Sequence, residues 1–117
     1  MSRPLHTIVE TPEFAGSARR ILTEAERREL IDFIAARPSS GELIQGTGGA
    51  RKLRWGAKSK GTRGGARVIS YYGGPDIPAF LLAIFAKGDR ANLTKAERNE
   101  LRQVLAVLAE EYRKGTG

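Results

Sequence analysis

The sequence predicts an α+β fold in which helices pack on one face of a small antiparallel β-sheet. The 117 residues suffice for one compact domain, spanning residues 1–117, and are too few for two ordinary ones. Three consecutive segments in the middle of the chain have strand patterns. A Thr-x-x-Glu capping box lies on each side of these strands and precedes apolar residues at helical spacing. Helices flanking a run of antiparallel strands are typical of this fold class.

The N-terminal part of the chain predicts a short strand followed by two helices. Residues 5–10 form the strand, and Pro12 begins a short helix that extends to residue 20. Thr23 and Glu26 form the first capping box, so a second helix begins there. Pro38 ends that helix, because proline has no backbone N–H and its ring clashes with the preceding turn.

The middle of the chain predicts three strands. Residues 41–50 are rich in glycine and indicate a loop with a short extended piece. Strands follow over residues 50–55, 66–72 and 79–86. The third is apolar throughout, which is typical of a strand covered on both faces. A turn at residues 73–78 joins the last two strands into an antiparallel hairpin.

The last predicted element is a long amphipathic helix. It begins at the second capping box, formed by Thr94 and Glu97. Its apolar face is formed by Leu101, Val104, Leu105, Leu108 and Tyr112.

Positive charge is concentrated in the middle third of the chain. The formal net charge is +7, and no acidic residue lies between Glu42 and Asp76. That stretch contains Arg51, Lys52, Arg54, Lys58, Lys60, Arg63 and Arg67. Side-chain alternation along the first of the three strands turns Lys52 and Arg54 away from the core, so these cations form a basic face with a basic loop beside it. Such a face indicates a polyanionic partner, and the alternative is a solvated surface that keeps the protein soluble.

Composition excludes several kinds of chemistry. The chain has no cysteine, which excludes a disulfide scaffold, a cysteine nucleophile and a cysteine zinc site. His6 is the one histidine, which makes a Ser/His/Asp triad implausible, and we expect it to be structural or exposed. Asp76 and Asp89 lie at opposite ends of one predicted strand, so we expect no metal site, and no cofactor is predicted. The glycines of GTGG and GTRGG indicate turns rather than a nucleotide-binding loop.

The chain has no apolar signal segment near its start and no apolar run long enough to span a membrane. We therefore expect a soluble, cytoplasmic protein that does not interact with membranes.

A cluster of lysines and arginines is chemically sufficient to cleave RNA. The ribose 2′-hydroxyl already lies beside the scissile phosphate, so no protein nucleophile or metal-bound water is needed. Arginine stays charged and suits stabilisation of the phosphorane. Lysine acts as a base or an acid when its pKa falls, and neighbouring cations lower it. The residues thus permit a metal-independent ribonuclease, while plain RNA or DNA binding is the commoner use of a basic patch.

The runs GGARKLRWGAKSKGTRGGARVISYY and LLAIFAKGDRANLTKAERNEL resemble the RelE/HigB family of bacterial type II toxins, most closely its HigB-like branch. The resemblance covers roughly residues 46–110. It implies a RelE-like fold with helices on a small, curved antiparallel sheet. It also implies an endoribonuclease that cleaves messenger RNA in the ribosomal A site. The implied partner is a cognate antitoxin, a helix-turn-helix DNA-binding protein, through which the pair contacts operator DNA.

The resemblance also implies individual site residues. The catalytic set is Lys52, Arg54, Arg67 and Lys87. Arg54 and Arg67 would stabilise charge, Lys52 would be the general base, and Lys87 would assist the leaving group or contact phosphate. The further RNA contacts are Arg51, Lys58, Lys60, Arg63, Tyr71 and Arg90. Arg51 has an alternative, which is to face the helices and pair with a carboxylate.

The sequence departs from the RelE branch in one respect. Related toxins carry a tyrosine shortly after the last basic residue, where this chain reads ANLTKAER. A base could instead stack on Tyr71, Tyr72 or Trp55, and the alternative is that all three rings pack in the sheet.

Two other functions stay open from the sequence. One is a non-catalytic toxin of the same superfamily that inhibits DNA gyrase, and the other is a basic nucleic-acid-binding module without toxicity. The concentration of Lys52, Arg54 and Arg67 favours the nuclease, because a protein that inhibits by binding does not need this set.

Overall fold

The computed structural model describes residues 5–56, 65–88 and 92–116, and these residues confirm the predicted α+β class. They form one five-stranded sheet with the strand order β1-β5-β4-β3-β2, together with three helices. The elements are β1 (Ile8–Glu10), α1 (Pro12–Ile21), α2 (Glu24–Ala36), β2 (Glu42–Leu43), β3 (Ala50–Trp55), β4 (Ala66–Tyr71), β5 (Ala79–Ala86) and α3 (Lys95–Thr116). No helix in the described part of the chain is both long and apolar enough to cross a membrane.

The sheet is mixed rather than wholly antiparallel. Strands β3, β4 and β5 pair antiparallel, and Tyr71 lies opposite Phe80 in the predicted hairpin. Strand β1 pairs parallel to β5, with Ile8 opposite Ala79. A parallel pair needs a crossover connection, and α1 and α2 lie in the chain between β1 and the rest of the sheet. The short extended piece expected after residue 41 is β2, which pairs with the start of β3.

Both predicted capping boxes are present. The Thr23 hydroxyl accepts from the Glu26 N–H at 3.1 Å, and the Glu26 carboxylate accepts from the Thr23 N–H at 2.8 Å. Thr94 and Glu97 make the same two bonds at 3.1 and 2.8 Å. Each box satisfies backbone donors that have no partner within the helix, so α2 and α3 begin where the sequence predicts.

Two apolar clusters lie on opposite faces of the sheet. Helices α1 and α2 cover one face, where Phe14 and Leu30 pack with Val68. Helix α3 covers part of the other face, where Leu105 packs with Ile69. Val68 and Ile69 are neighbours in β4 and therefore point to opposite sides. The apolar strand β5 contributes to both clusters, which confirms that it is covered on both faces.

Helix α3 is tied at its C-terminal end to the β4–β5 connection. The Arg113 Nε lies 2.8 Å from the Asp76 Oδ2, and its Nη2 donates to the Gly73 carbonyl oxygen at 2.5 Å. The hydrogen bond from Arg113 holds the pKa of the Asp76 carboxyl below its ordinary value of 3.8. A depressed pKa in the folded state means that the bond stabilises the fold at neutral pH and is lost as the pH falls through that lowered value.

We therefore expect Asp76→Asn to lower the melting temperature slightly at pH 7. The difference from the wild type should begin to shrink as the pH falls through about 3.8, where the unfolded chain protonates, and should vanish only below the lowered pKa of the folded-state carboxyl. Thermal unfolding of both proteins between pH 7 and pH 2 measures this. A difference that stays constant across the whole range would contradict the assignment of the effect to the charged pair.

Candidate nucleic-acid interface

Strands β3 and β4 bring three predicted site residues to one face of the sheet. Arg54 lies directly opposite Arg67, and Lys52 lies opposite Ile69. Because Ile69 belongs to the cluster under α3, alternation places Lys52, Arg54 and Arg67 on the α3 side. Arg54 is exposed, so α3 leaves this end of the face open. We call Lys52, Arg54, Arg67 and the adjacent Lys87 the basic face.

Helix α3 therefore packs on the same side of the sheet as these cations, whereas the sequence predicted that they point away from all the helices. That expectation holds for α1 and α2, which cover the other side. Ala50 and Tyr71 make the far end of the cation-bearing face apolar, so this end requires cover from α3.

Arg54 and Arg67 differ in exposure although they are paired across the strands. Arg54 is exposed, whereas Arg67 is 6% exposed and its Nη1 donates to the Ala66 carbonyl oxygen at 3.2 Å. The Arg67 guanidinium is thus held largely within the sheet, and that of Arg54 lies beside it in solvent.

Lys52 is positioned by a contact that the sequence did not indicate. Its Nζ donates to the Asn92 Oδ1 at 2.5 Å. Asn92 lies in the segment between β5 and α3, so this bond brings that segment to the basic face. Forty positions separate the two residues, and no local pattern pairs them. Asn92 is therefore a site residue that sequence reasoning missed.

Lys87 reaches the basic face through the backbone of Gly65. Its N–H donates to the Gly65 carbonyl oxygen at 3.2 Å, and its side chain is exposed. Gly65 has φ +75°, and a Cβ there would lie 2.5 Å from the carbonyl oxygen of Trp55. Glycine at this position allows the end of β3 and the start of β4 to approach closely. Gly65 thus contacts both the end of β3 and the residue that follows β5, close to Arg67 at the start of β4.

The structure places Arg51 on the other side of the sheet, and it places Tyr71 at the apolar end of the cation-bearing side, away from the basic face. Alternation places Arg51 on the side of α1 and α2, as its alternative interpretation had it, but its Nη1 donates to the Gly41 carbonyl oxygen at 3.1 Å rather than to a carboxylate. Tyr71 is 7% exposed, and its ring centroid lies 6.4 Å from that of Phe80 in a stacked arrangement. A base cannot stack on Tyr71 without displacing core side chains. The predicted role in RNA stacking therefore does not fit this placement, because the ring completes the core under α3.

The other aromatic candidates also pack within the protein. The Trp55 ring lies 5.4 Å from that of Phe33 on α2. The Tyr72 ring meets His6 edge-on at 5.2 Å, and the His6 Nε2 lies 2.7 Å from the Ile77 carbonyl oxygen. His6 is thus structural, as expected.

The GTGG segment is a turn, as the sequence indicated. The Thr47 Oγ1 donates to the Ile44 carbonyl oxygen at 2.7 Å and accepts from the Ala50 N–H at 3.0 Å. Gly48 and Gly49 have φ values of +78° and +126°, which favour glycine. The buried Thr47 side chain closes the turn, so the segment leads the chain from β2 into β3.

Part of the predicted site lies outside the described residues, namely Lys58, Lys60, Arg63 and Arg90. Within residues 5–56, 65–88 and 92–116, no group of three or more histidine, aspartate or glutamate side chains is arranged to hold a metal ion.

A second group of cations lies on α3, and sequence reasoning treated it as an ordinary polar helix face. Lys95 and Arg98 line an open groove of about 660 Å³ with Ile44, Gln45, Gly46 and Asn99. Arg102 continues the row along the helix and lies beside Gly48. The spacing of three and four residues between these cations was the available signal, since it places them on one side of a helix.

The described residues bring the cations of the basic face close together. Two arginines sit side by side, one buried and one exposed, with Lys52 held next to them and Lys87 at the end of β5. Guanidinium groups recognise phosphate through paired N–H donors, and ammonium groups add point charges. The chain matches no protein-family model.

Proposed function

We propose that the chain is the toxin of a type II toxin-antitoxin system, a metal-independent and ribosome-dependent endoribonuclease that cleaves messenger RNA and inhibits translation. The observation that carries the proposal is the cross-strand pair of Arg54 and Arg67 on an open face. A buried guanidinium beside an exposed one suits a phosphate whose negative charge increases during reaction.

The proposed reaction uses the ribose as its own nucleophile. The 2′-oxygen attacks the adjacent phosphorus, the bond from phosphorus to the 5′-oxygen breaks, and a 2′,3′-cyclic phosphate and a 5′-hydroxyl result. Lys52 accepts the 2′-hydroxyl proton, and Lys87 donates a proton to the departing 5′-oxygen. Arg54 and Arg67 stabilise the additional charge on the non-bridging oxygens. DNA lacks the 2′-hydroxyl, so the same face would bind DNA without cleaving it.

Asn92 would orient Lys52, the general base, in this scheme. Its Oδ1 accepts from the Lys52 Nζ at 2.5 Å, which restricts where the amine can reach. A long, flexible lysine gains from such a contact because orientation of the reacting groups lowers the entropic part of the barrier. Asn92 is thus a positioning residue rather than one that contacts the reacting atoms.

The proposal includes partners and a location. A cognate antitoxin, a helix-turn-helix protein, would neutralise the toxin by covering it, and operator DNA would be contacted through the complex. The substrate is messenger RNA on the ribosome, which assigns the activity to the cytoplasm.

Primer extension on a defined messenger RNA after brief expression tests the proposal. We expect wild-type protein to produce breaks confined to translated codons, and we expect Arg54→Gln to abolish them. Arg54 is exposed and opposes another cation, so its replacement should not destabilise the fold. Arg28→Gln is the matched control, because it removes the same charge from an exposed position on α2, the helix that covers the opposite side of the sheet.

The other outcomes identify the alternatives. Intact messenger RNA together with growth arrest and a DNA-damage response would indicate the gyrase inhibitor. Intact messenger RNA without arrest would leave a nucleic-acid-binding module.

A further inference from the structure

Over residues 95–102, helix α3 separates positive from negative side chains. Lys95, Arg98 and Arg102 lie toward the loop that joins β2 to β3, where Lys95 and Arg98 line the open groove. Glu97 and Glu100 lie on the other side of the helix, in a cavity near the β1–α1 junction. The cations are therefore not dispersed among carboxylates, as they would be on a face that serves solubility.

The cations stand where a helix least favours them. Lys95 is the first residue of α3 and Arg98 lies in its first turn, near the positive end of the helix dipole. The backbone donors of this end are already served by the capping box of Thr94 and Glu97. The positive potential here thus comes from side chains. In the described part of the chain, neither Lys95 nor Arg102 forms an ion pair. Cations in such a position cost stability unless an anionic ligand compensates them.

The groove lies near the basic face. Lys52 contacts Asn92, which precedes Lys95 by three residues and lies at most about 11 Å from it along the chain. Glu42 of β2 lies opposite Lys52 and places one carboxylate beside it, and Ile44 and Gln45 of the groove follow in the chain. A polyanion bound at Lys52 and Arg54 would reach the groove by way of Asn92.

We propose that this groove, lined by Lys95, Arg98, Gln45 and Asn99 with Arg102 beside it, is a second RNA-backbone site that anchors the RNA without taking part in the chemistry. The cations would contact phosphates, and the exposed amides of Gln45 and Asn99 would bond sugar or base groups. Arg98 is partly committed already, since its Nη1 donates to the Leu93 carbonyl oxygen at 3.0 Å. Lys95 and Arg102 are the exposed contacts. The inference rests on the proposed function in that the ligand is RNA, but it does not require cleavage.

The test is the salt dependence of RNA binding by the double variant Lys95→Gln/Arg102→Gln. Each lost contact to single-stranded RNA should reduce the slope of log K against log salt by about 0.7, so two contacts should reduce it by about 1.4. Between about 50 and 200 mM salt, the wild type should then lose roughly sevenfold more affinity than the variant. The control is Arg20→Gln/Arg28→Gln, which removes the same charge from exposed positions on α1 and α2. The control should keep the wild-type slope.

The RNA backbone in the groove has two sources, messenger RNA and ribosomal RNA, which the probes distinguish. Three probes are used. Two are oligoribonucleotides of about 4 and about 16 nucleotides, and the third is purified ribosomes without messenger RNA. A changed slope with the long oligonucleotide but not the short one indicates that the messenger passes through the groove. A changed slope with ribosomes alone indicates ribosomal RNA. Slopes that match the wild type with every probe, or that change equally in the control, overturn the inference.

Cleavage assays keep this inference separate from the proposed function. At saturating protein, the groove variant should cleave at the wild-type rate, whereas Arg54→Gln should not cleave. A wild type that binds RNA without cleaving it, with a changed slope in the groove variant, would sink the nuclease and leave the anchoring site. A melting temperature at or above that of the wild type is expected for the groove variant, because it removes a cation from the start of α3.

Discussion

Replacing Arg67 by methionine is expected to lower the rate of messenger RNA cleavage by about 10²- to 10³-fold, which is the usual cost of removing one donor from a developing oxyanion. Arg67 is 6% exposed, so its stem is packed in the sheet. Methionine keeps much of that apolar length and removes the charge, whereas alanine would also leave a cavity. The measurement is single-turnover cleavage of a defined messenger RNA on programmed ribosomes, with near-ultraviolet circular dichroism to check the fold.

Two further variants separate the charge of Arg67 from its position. Arg67→Lys keeps the charge but loses the planar pair of donors, so its rate should fall between those of the wild type and Arg67→Met. Arg51→Met removes a cation from the other side of β3, where Arg51 donates to the Gly41 carbonyl oxygen. The cleavage rate of this variant should stay within a few-fold of the wild-type rate. Wild-type cleavage by a folded Arg67→Met would remove Arg67 from the mechanism. Equal losses for Arg51 and Arg67 would place RNA on both faces of the sheet.

The starts of α2 and α3 and the limits of β3 and β5 could be predicted because their causes are local. Each capping box is set by two residues three positions apart, and both boxes form as expected. The β3 and β5 ranges equally follow from patterns within the segments themselves. The alternation within β3 also predicts correctly that Lys52 and Arg54 share one face.

The arrangement of the site depends on contacts between distant segments. Arg54 lies opposite Arg67 because of the β3–β4 register, which no segment encodes alone. The pairing of Lys52 with Asn92 depends on where the segment after β5 returns to the sheet. The aromatic ring of Tyr71 could in principle stack on a nucleobase, but α3 covers it and makes it part of the core. These are tertiary effects, and they decided which predicted residues the structure brings together.

Two groups of cations lie on the α3 side of the sheet. Arg54 lies opposite Arg67 across β3 and β4, and Lys95 and Arg98 stand in the first turn of α3, where the helix dipole disfavours cations. The proposed function assigns both groups to the same polyanionic ligand.

Replacing Gly65 by alanine is expected to lower the free energy of unfolding by about 2–4 kcal/mol, from a left-handed backbone conformation and from overpacking together. Gly65 has φ +75°, and the added Cβ would lie 2.5 Å from the Trp55 carbonyl oxygen, which is main chain and cannot rotate away. Strands β3 and β4 would have to separate beside the Arg54–Arg67 pair and beside the hydrogen bond from the Lys87 N–H to the Gly65 carbonyl oxygen. Cleavage should therefore fall even under conditions in which the variant remains folded. Chemical denaturation gives the stability, and the ribosome assay gives the rate.

Gly16→Ala is the matched control for Gly65→Ala. Gly16 lies inside α1, and a Cβ there would meet no heavy atom within 4 Å. Alanine at this helical position should raise the free energy of unfolding by roughly 0.5–1 kcal/mol and leave cleavage unchanged. The same substitution is thus expected to have opposite signs at two positions. If Gly65→Ala were as stable and as active as Gly16→Ala, the close approach of β3 and β4 at Gly65 would not hold the basic face together, and the proposed arrangement of Arg67 and Lys87 would lose its structural basis.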